Sequence, residues 1–200
     1  MSPTFQHTKG RGKHWARIYE SSFPESERIS VSEIRADVSS GYSLLHETRV
    51  GGKTVCFSVV ELVSPSNLLL SYFAADPQQR SRGIGTWHMQ QLIADLKERL
   101  PQATALFLEI ESRKQAGLTA EQQEERRRRA AFYERLGAKT RPGFHFSPDL
   151  TNKTELLEFE LMWLELGEVR LSKNKVDKAL HEIHTISYGL GAEHPAVKLS

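Results

Sequence analysis

Apolar residues recur along this chain with two different periods, and each change of period marks a new element. Trp15, Ile18, Tyr19 and Ser22 fall on one helical face, which predicts a helix over about His14–Phe23, stopped by Pro24. Ser30 and Glu33 stand at capping-box spacing, and Ile34 and Val38 carry a second helix to Gly41. The period then shortens. Tyr42–Val50 and Lys53–Val63 read as two strands joined by Gly51-Gly52, a two-residue hairpin signal. Leu68–Asp76 is an apolar run of strand length that stops at Pro77. Met89, Leu92, Ile93, Leu96 and Leu100 then return to helical spacing until Pro101 breaks the chain. Ala105–Glu111 reads as a strand with Leu106, Leu108 and Ile110 on one face and Phe107, Glu109 and Glu111 on the other. Thr119 and Gln122 make another capping box, opening a helix that runs to Leu136 and closes at Gly137. Thr140–Gly143 is a turn-rich interruption. Glu155–Leu166 alternates and should be the last strand of the sheet. Val176, Ala179, Leu180, Ile183 and Ile186 give a C-terminal helix over about Ser172–Ser187.

Helices that alternate with strands predict a mixed α/β domain. Residues 1–12 read as a flexible arm, 13–168 as the domain and 169–200 as a helical extension that either covers the sheet edge or makes a homodimer contact. Composition adds bounds. With 38% hydrophobic and 26% charged residues the chain is globular rather than disordered, and a formal net charge of +2 argues against nonspecific nucleic-acid binding. The single cysteine, Cys56, excludes an internal disulfide and is read as a core thiol in a reducing compartment. No apolar run reaches membrane-spanning length, and residues 1–12 have no secretory h-region, so the expected location is cytoplasmic.

The stretch that carries chemistry is Leu68–Leu100. A strand, then Gln79-Arg80-Ser81-Arg82-Gly83-Ile84-Gly85-Thr86, then a helix brings backbone N–H groups and the positive end of a helix dipole to one point. Gly83 and Gly85 have no Cβ, so a phosphate can come close to the backbone. The loop is not a Walker loop, since no Gly-Lys-Ser/Thr follows, and it lacks the dinucleotide pattern Gly-x-Gly-x-x-Gly. Arg80-x-x-Gly83-x-Gly85, placed between an apolar strand with its proline and an amphipathic helix, resembles the acyl-CoA motif of the GNAT superfamily of N-acetyltransferases. Phe132-Tyr133-Glu134-Arg135-Leu136-Gly137-Ala138 resembles a second segment of that superfamily, an aromatic-Tyr sequence that ends in Gly-Phe; Ala138 stands in place of the Phe. The resemblance covers about Trp15–Leu166.

What the resemblance implies is an acetyl-CoA-dependent N-acetyltransferase of the GNAT fold, a central, mostly antiparallel sheet with a splayed parallel strand pair and helices on both faces. The domain order agrees, although the strand usual before the first helix has only a faint candidate in the arm. Gln79, Arg80, Ser81, Arg82, Gly83, Ile84, Gly85 and Thr86 would grip the CoA pyrophosphate. The strand Phe73-Ala74-Ala75 would offer a backbone N–H to the thioester carbonyl, and Phe23–Arg28 would shape the acceptor side. Tyr133 would protonate the leaving thiolate. The superfamily often has Ser-Asn just after the Glu-bearing strand, and here Ser112-Arg113 stand there.

Glu109 is the favoured base. A carboxylate in an apolar strand is neutral, partnered or functional, and burial should raise its pKa toward the working range. A Glu in a Leu-Glu-Ile setting matches the position of the base in several GNAT proteins. Glu61 and Glu111 are rival bases, and a Glu109 held by a partner is the structural alternative. The expected reaction is acetyl transfer to a primary amine of a small molecule or peptide, by direct attack and without a metal. The alternatives are a catalytically silent CoA-binding module and an RNA-associated protein acting through Arg126–Arg129. That run also has Glu124 and Glu125 four residues before Arg128 and Arg129, which favours a solvated ion-paired face. His181 and His184 lie three apart on a helix with no third metal ligand at a fixed spacing.

Overall fold

The computed structural model describes residues 2–79, 83–151, 155–168 and 170–198. Its contacts form two compact units, one of Met1–Leu62 with Leu70–Pro101 and one of Val63–Leu69 with Gln102–Ser200.

In the first unit, β1 (Thr4–Thr8) pairs antiparallel with β2 (Ser43–Val50), and β2 pairs antiparallel with β3 (Lys53–Leu62). The strand in residues 4–8 differs from the loose arm expected there. Its sequence is polar, but the edge of β2 offers it a ladder, and Phe5 stacks on His46 across that ladder with ring centroids 5.3 Å apart. The helices α1 (His14–Ser22) and α2 (Val31–Ser40) supply Trp15, Tyr19, Ile34 and Val38 to a core shared with Leu45, Phe57, Val59, Tyr72 and Ala74. The polar tips of that core are satisfied: Trp15 Nε1 donates to the Gly10 carbonyl at 3.0 Å and Tyr19 Oη to that of Ile29 at 2.8 Å. The Ser30–Glu33 capping box forms as expected, and Gly41 takes the left-handed conformation that ends α2.

β4 (Asn67–Ala75) leads into α3 (Ile84–Arg99). Met89, Leu92 and Leu96 are the buried apolar face of α3. The same face carries His88, fully buried, with its ring nitrogens 2.8 Å from Thr48 Oγ1 and 2.9 Å from Ser58 Oγ. This polar pin ties the second turn of α3 to β2 and β3, and so fixes where the helix begins.

In the second unit, Asn67–Leu69 of β4 pair in parallel with Ala105–Phe107 of β5 (Ala105–Glu111). That ladder has three residue pairs, although β4 runs on to Ala75 and β5 to Glu111. A helix, α4 (Ala120–Arg135), follows β5 and opens with the expected Thr119–Gln122 capping box. The strands β6 (Lys139–Thr140) and β7 (His145–Pro148), neither of them expected from the sequence, pair antiparallel with β8 (Leu156–Glu165), as β5 does. The turn residues Pro142 and Gly143 fall between β6 and β7, so the interruption read from the sequence separates two short strands. By hydrogen bonding the strand order is β1-β2-β3-β4-β5-β8-β6, with β7 also on β8. The fold is mixed α/β, mostly antiparallel with the one parallel pair β4–β5.

The C-terminal helix α5 (Lys173–Glu182) is the extension read as covering the sheet edge or making a homodimer contact. Its Val176, Ala179 and Leu180, with Ile183, instead pack on Phe107, Leu161 and Trp163, the face of β5 and β8 that also carries Glu109. Beyond Glu182 the helix widens into a π turn, Ile183–Ser187, and the described chain ends in the short α6 (Pro195–Lys198).

Candidate active site

In the first unit the candidate cofactor residues follow one another from β4 into α3. Ala74 is buried in the core, and Phe73 and Ala75 are half-buried. Asp76 organises the turn: its carboxylate accepts from the Gln78 N–H at 2.9 Å and its carbonyl from the Gln79 N–H at 2.8 Å. Arg80, Ser81 and Arg82 lie outside the described residues. Gly83 is the N-cap of α3 with φ +75°, a left-handed conformation that costs an L side chain about 1–2 kcal/mol. Among the described residues, no atom lies within 4 Å of a Cβ built on it. The Trp87 N–H donates to the Gly83 carbonyl at 2.9 Å and closes the first turn. The N–H groups of Ile84, Gly85 and Thr86 are therefore those that an α-helix leaves without carbonyl partners, and the first turn holds no acidic side chain. This arrangement suits an anion.

In the second unit, Glu109 is not the isolated carboxylate that the sequence suggests. Its Oε1 accepts from His145 Nε2 at 2.6 Å and from Ser147 Oγ at 2.5 Å, and its Oε2 accepts from Tyr188 Oη at 2.5 Å. The side chain is 8% exposed. Burial alone would raise its pKa, but the donors His145, Ser147 and Tyr188 outweigh burial and hold it down at about 2. The expected upward shift is thus corrected. Glu109 is a carboxylate saturated by donors, the partnered alternative, its partners being one imidazole and two hydroxyls.

Sheet register explains the cluster. Glu109 lies opposite Leu161 and His145 opposite Phe159, two residues earlier on β8, so Glu109 and His145 share a face on either side of one strand. Ser147, two residues after His145, keeps to that face. The π turn places His184 Nε2 3.5 Å from Ser147 Oγ, and Tyr188 follows it. Burial pushes the His184 imidazole down to about 4. His181, expected to share a helical face with His184, is exposed and takes no part.

Sequence reasoning links none of His145, Ser147, His184 and Tyr188 to Glu109. The one available signal is His145-x-Ser147, two polar residues at strand spacing.

The rival carboxylates are also engaged. Glu111 pairs with Arg129, and Glu61 accepts from Tyr42 Oη at 3.2 Å and Ser71 Oγ at 2.5 Å. Tyr133 is buried on α4, its ring against Phe132, and its carbonyl accepts from the Leu136 and Ala138 N–H groups as the helix closes. Arg113, in the place where the superfamily often has Asn, is spent on Glu160 at 2.6 Å and Glu134 at 3.2 Å. Arg126 donates to the Ser112 carbonyl at 2.5 Å, while Arg128 and Arg129 pair with Glu124 and Glu125, so the basic run is largely internal to its own surface.

No family model and no curated protein matches the chain. Solved structures do. A proposed GNAT-family acetyltransferase from Bacteroides thetaiotaomicron superposes with a TM-score of 0.70 at 22% identity, covering 94% of this chain and 99% of its own. The ribosomal-protein-alanine N-acetyltransferase of Escherichia coli gives 0.58 at 20% identity, over 86% and 98% of the two chains. An aminoglycoside 6'-N-acetyltransferase complexed with coenzyme A gives 0.63 at 13%, over 84% and 99%. The chain has the fold of the GNAT acetyltransferases.

Proposed function

We propose that this protein transfers an acetyl group from acetyl-CoA to a primary amine of a small molecule or peptide. The observation that carries the reading is the Gly83-capped N-terminus of α3, which follows β4 in a GNAT fold, has no acidic side chain in its first turn and has no described atom within 4 Å of a Cβ built on Gly83. The N–H groups of Ile84, Gly85 and Thr86 would hold the pyrophosphate, with Gln79, Ser81 and the charges of Arg80 and Arg82 beside it. A backbone N–H of Phe73-Ala74-Ala75 would polarise the thioester carbonyl as negative charge develops on its oxygen.

The amine nitrogen attacks the carbonyl carbon, the C–S bond breaks, and Tyr133 gives its proton to the departing thiolate. Glu109, already an anion saturated by three donors, is a poor acceptor for the amine proton. The proton goes to solvent water, and the protein contributes chiefly positioning and electrostatic stabilisation.

The neighbours act on acceptors as different as a ribosomal-protein alanine and an aminoglycoside, so the acceptor has to be found by screening. The test is an amine library incubated with acetyl-CoA, read by thiol detection of released CoA. Release that depends on a particular amine supports the reading. Tight acetyl-CoA binding with no release for any amine would instead make the protein a silent CoA-binding module.

A further inference from the structure

We propose that Glu109, His145 and His184 form a binding site for a divalent transition metal, zinc being the ion that the donor set suits best. One ligand atom from each of these residues lies within 4.8 Å of the other two. They come from three separate elements, β5, β7 and the π turn, and meet inside the second unit under α5. A carboxylate oxygen with two imidazole nitrogens is a zinc-type set; magnesium and calcium call for more oxygen. The hydroxyls of Ser147 and Tyr188, both on Glu109, stand ready to orient the carboxylate or complete the coordination.

Three further observations favour an ion over a closed hydrogen-bond network. Among the described residues no lysine or arginine pairs with Glu109, so a buried carboxylate has only an imidazole and two hydroxyls against it. A dication supplies the missing charge. Both histidines are buried, 1% exposed for His145 and 0% for His184, and both turn Nε2 into the cluster, His145 toward Glu109 Oε1 at 2.6 Å and His184 toward Ser147 Oγ at 3.5 Å. Finally, His184 sits in a π turn, an unfavourable helical form that persists mostly where a side chain has to be placed for function. On binding, the ion would take the position of the proton between His145 and Glu109, and that proton would leave to solvent.

The test uses the full chain without an affinity tag, stripped by a chelator and dialysed. Zinc is titrated calorimetrically, and cobalt is added separately and followed by its visible absorption. Expected are one ion per chain, proton release that scales with buffer ionisation enthalpy, and the intense bands of four-coordinate cobalt. His145→Gln and His184→Gln should each weaken binding at least ~10-fold, while His181→Gln, on the exposed face, leaves it unchanged. If a variant fails to fold, the unaltered chain still decides through its zinc-dependent rise in thermal midpoint. A folded chain that takes up no zinc and gives no cobalt bands overturns the site. So does binding lost in His181→Gln but kept in His145→Gln. None of these readouts depends on acetyl transfer.

Discussion

Glu109 shows how far one residue's neighbours decide its chemistry. Its place in an apolar strand and the face it shares with Phe107 are legible in the sequence. Its three donors are not, because they lie 36, 38 and 79 residues away, two of them on a four-residue strand and the third beyond a π turn. Glu109→Gln keeps the shape but puts an amide NH₂ against groups that all donate. The expected result is a lower thermal midpoint with the pH–rate profile unchanged in shape. A variant that folds like its parent but loses activity at neutral pH and recovers it at high pH, where the amine deprotonates unaided, would restore Glu109 as the base. Tyr133 is the complementary case, with its position implied by the segment around Gly137. Tyr133→Phe keeps the ring against Phe132 and should lower the maximal rate by about 10²–10⁴ with acetyl-CoA affinity unchanged. An unchanged maximal rate would remove it as the acid.

Among elements, α3 matters most, since it presents the candidate phosphate site and is held by His88. Burial pushes that imidazole down to about 3, from 6.5 in an exposed histidine. Between those values the unfolded chain binds a proton that the folded one does not, so stability rises with pH across this window. It is lost as pH falls from about 6.5 toward about 3. His88→Gln should lower the thermal midpoint at neutral pH yet flatten its fall on acidification; parallel curves for parent and variant would show that His88 does not set the slope.

Other elements divide by the same logic. The two capping boxes, Gly41 and the Gly51-Gly52 hairpin can be read because their signals are local. β1, β6 and β7 cannot: a five-residue strand whose one apolar residue is Phe5, and strands of two and four residues, gain their structure from a partner's edge, which no periodicity records. The packing of α5 is half legible, since its apolar stripe is plain but the face it covers is not.

For the whole molecule, the order of helices and strands and the glycine loop together point to the GNAT fold, and the superpositions agree with it. Substrate and chemistry are less legible, because they depend on side chains assembled from distant segments. The central claim is that the chain binds acetyl-CoA through the start of α3, and it is testable without knowing the acceptor. The measurement is calorimetric titration of acetyl-CoA into the protein and, in parallel, into Gly85→Val, whose new side chain lies in the first turn of α3. One molecule should bind per chain, with affinity at least ~10-fold weaker in a variant that keeps its fold, since the phosphate would be pushed off the backbone N–H groups. A folded parent protein that gives no binding heat and no acetyl-CoA-dependent change in thermal midpoint would contradict it.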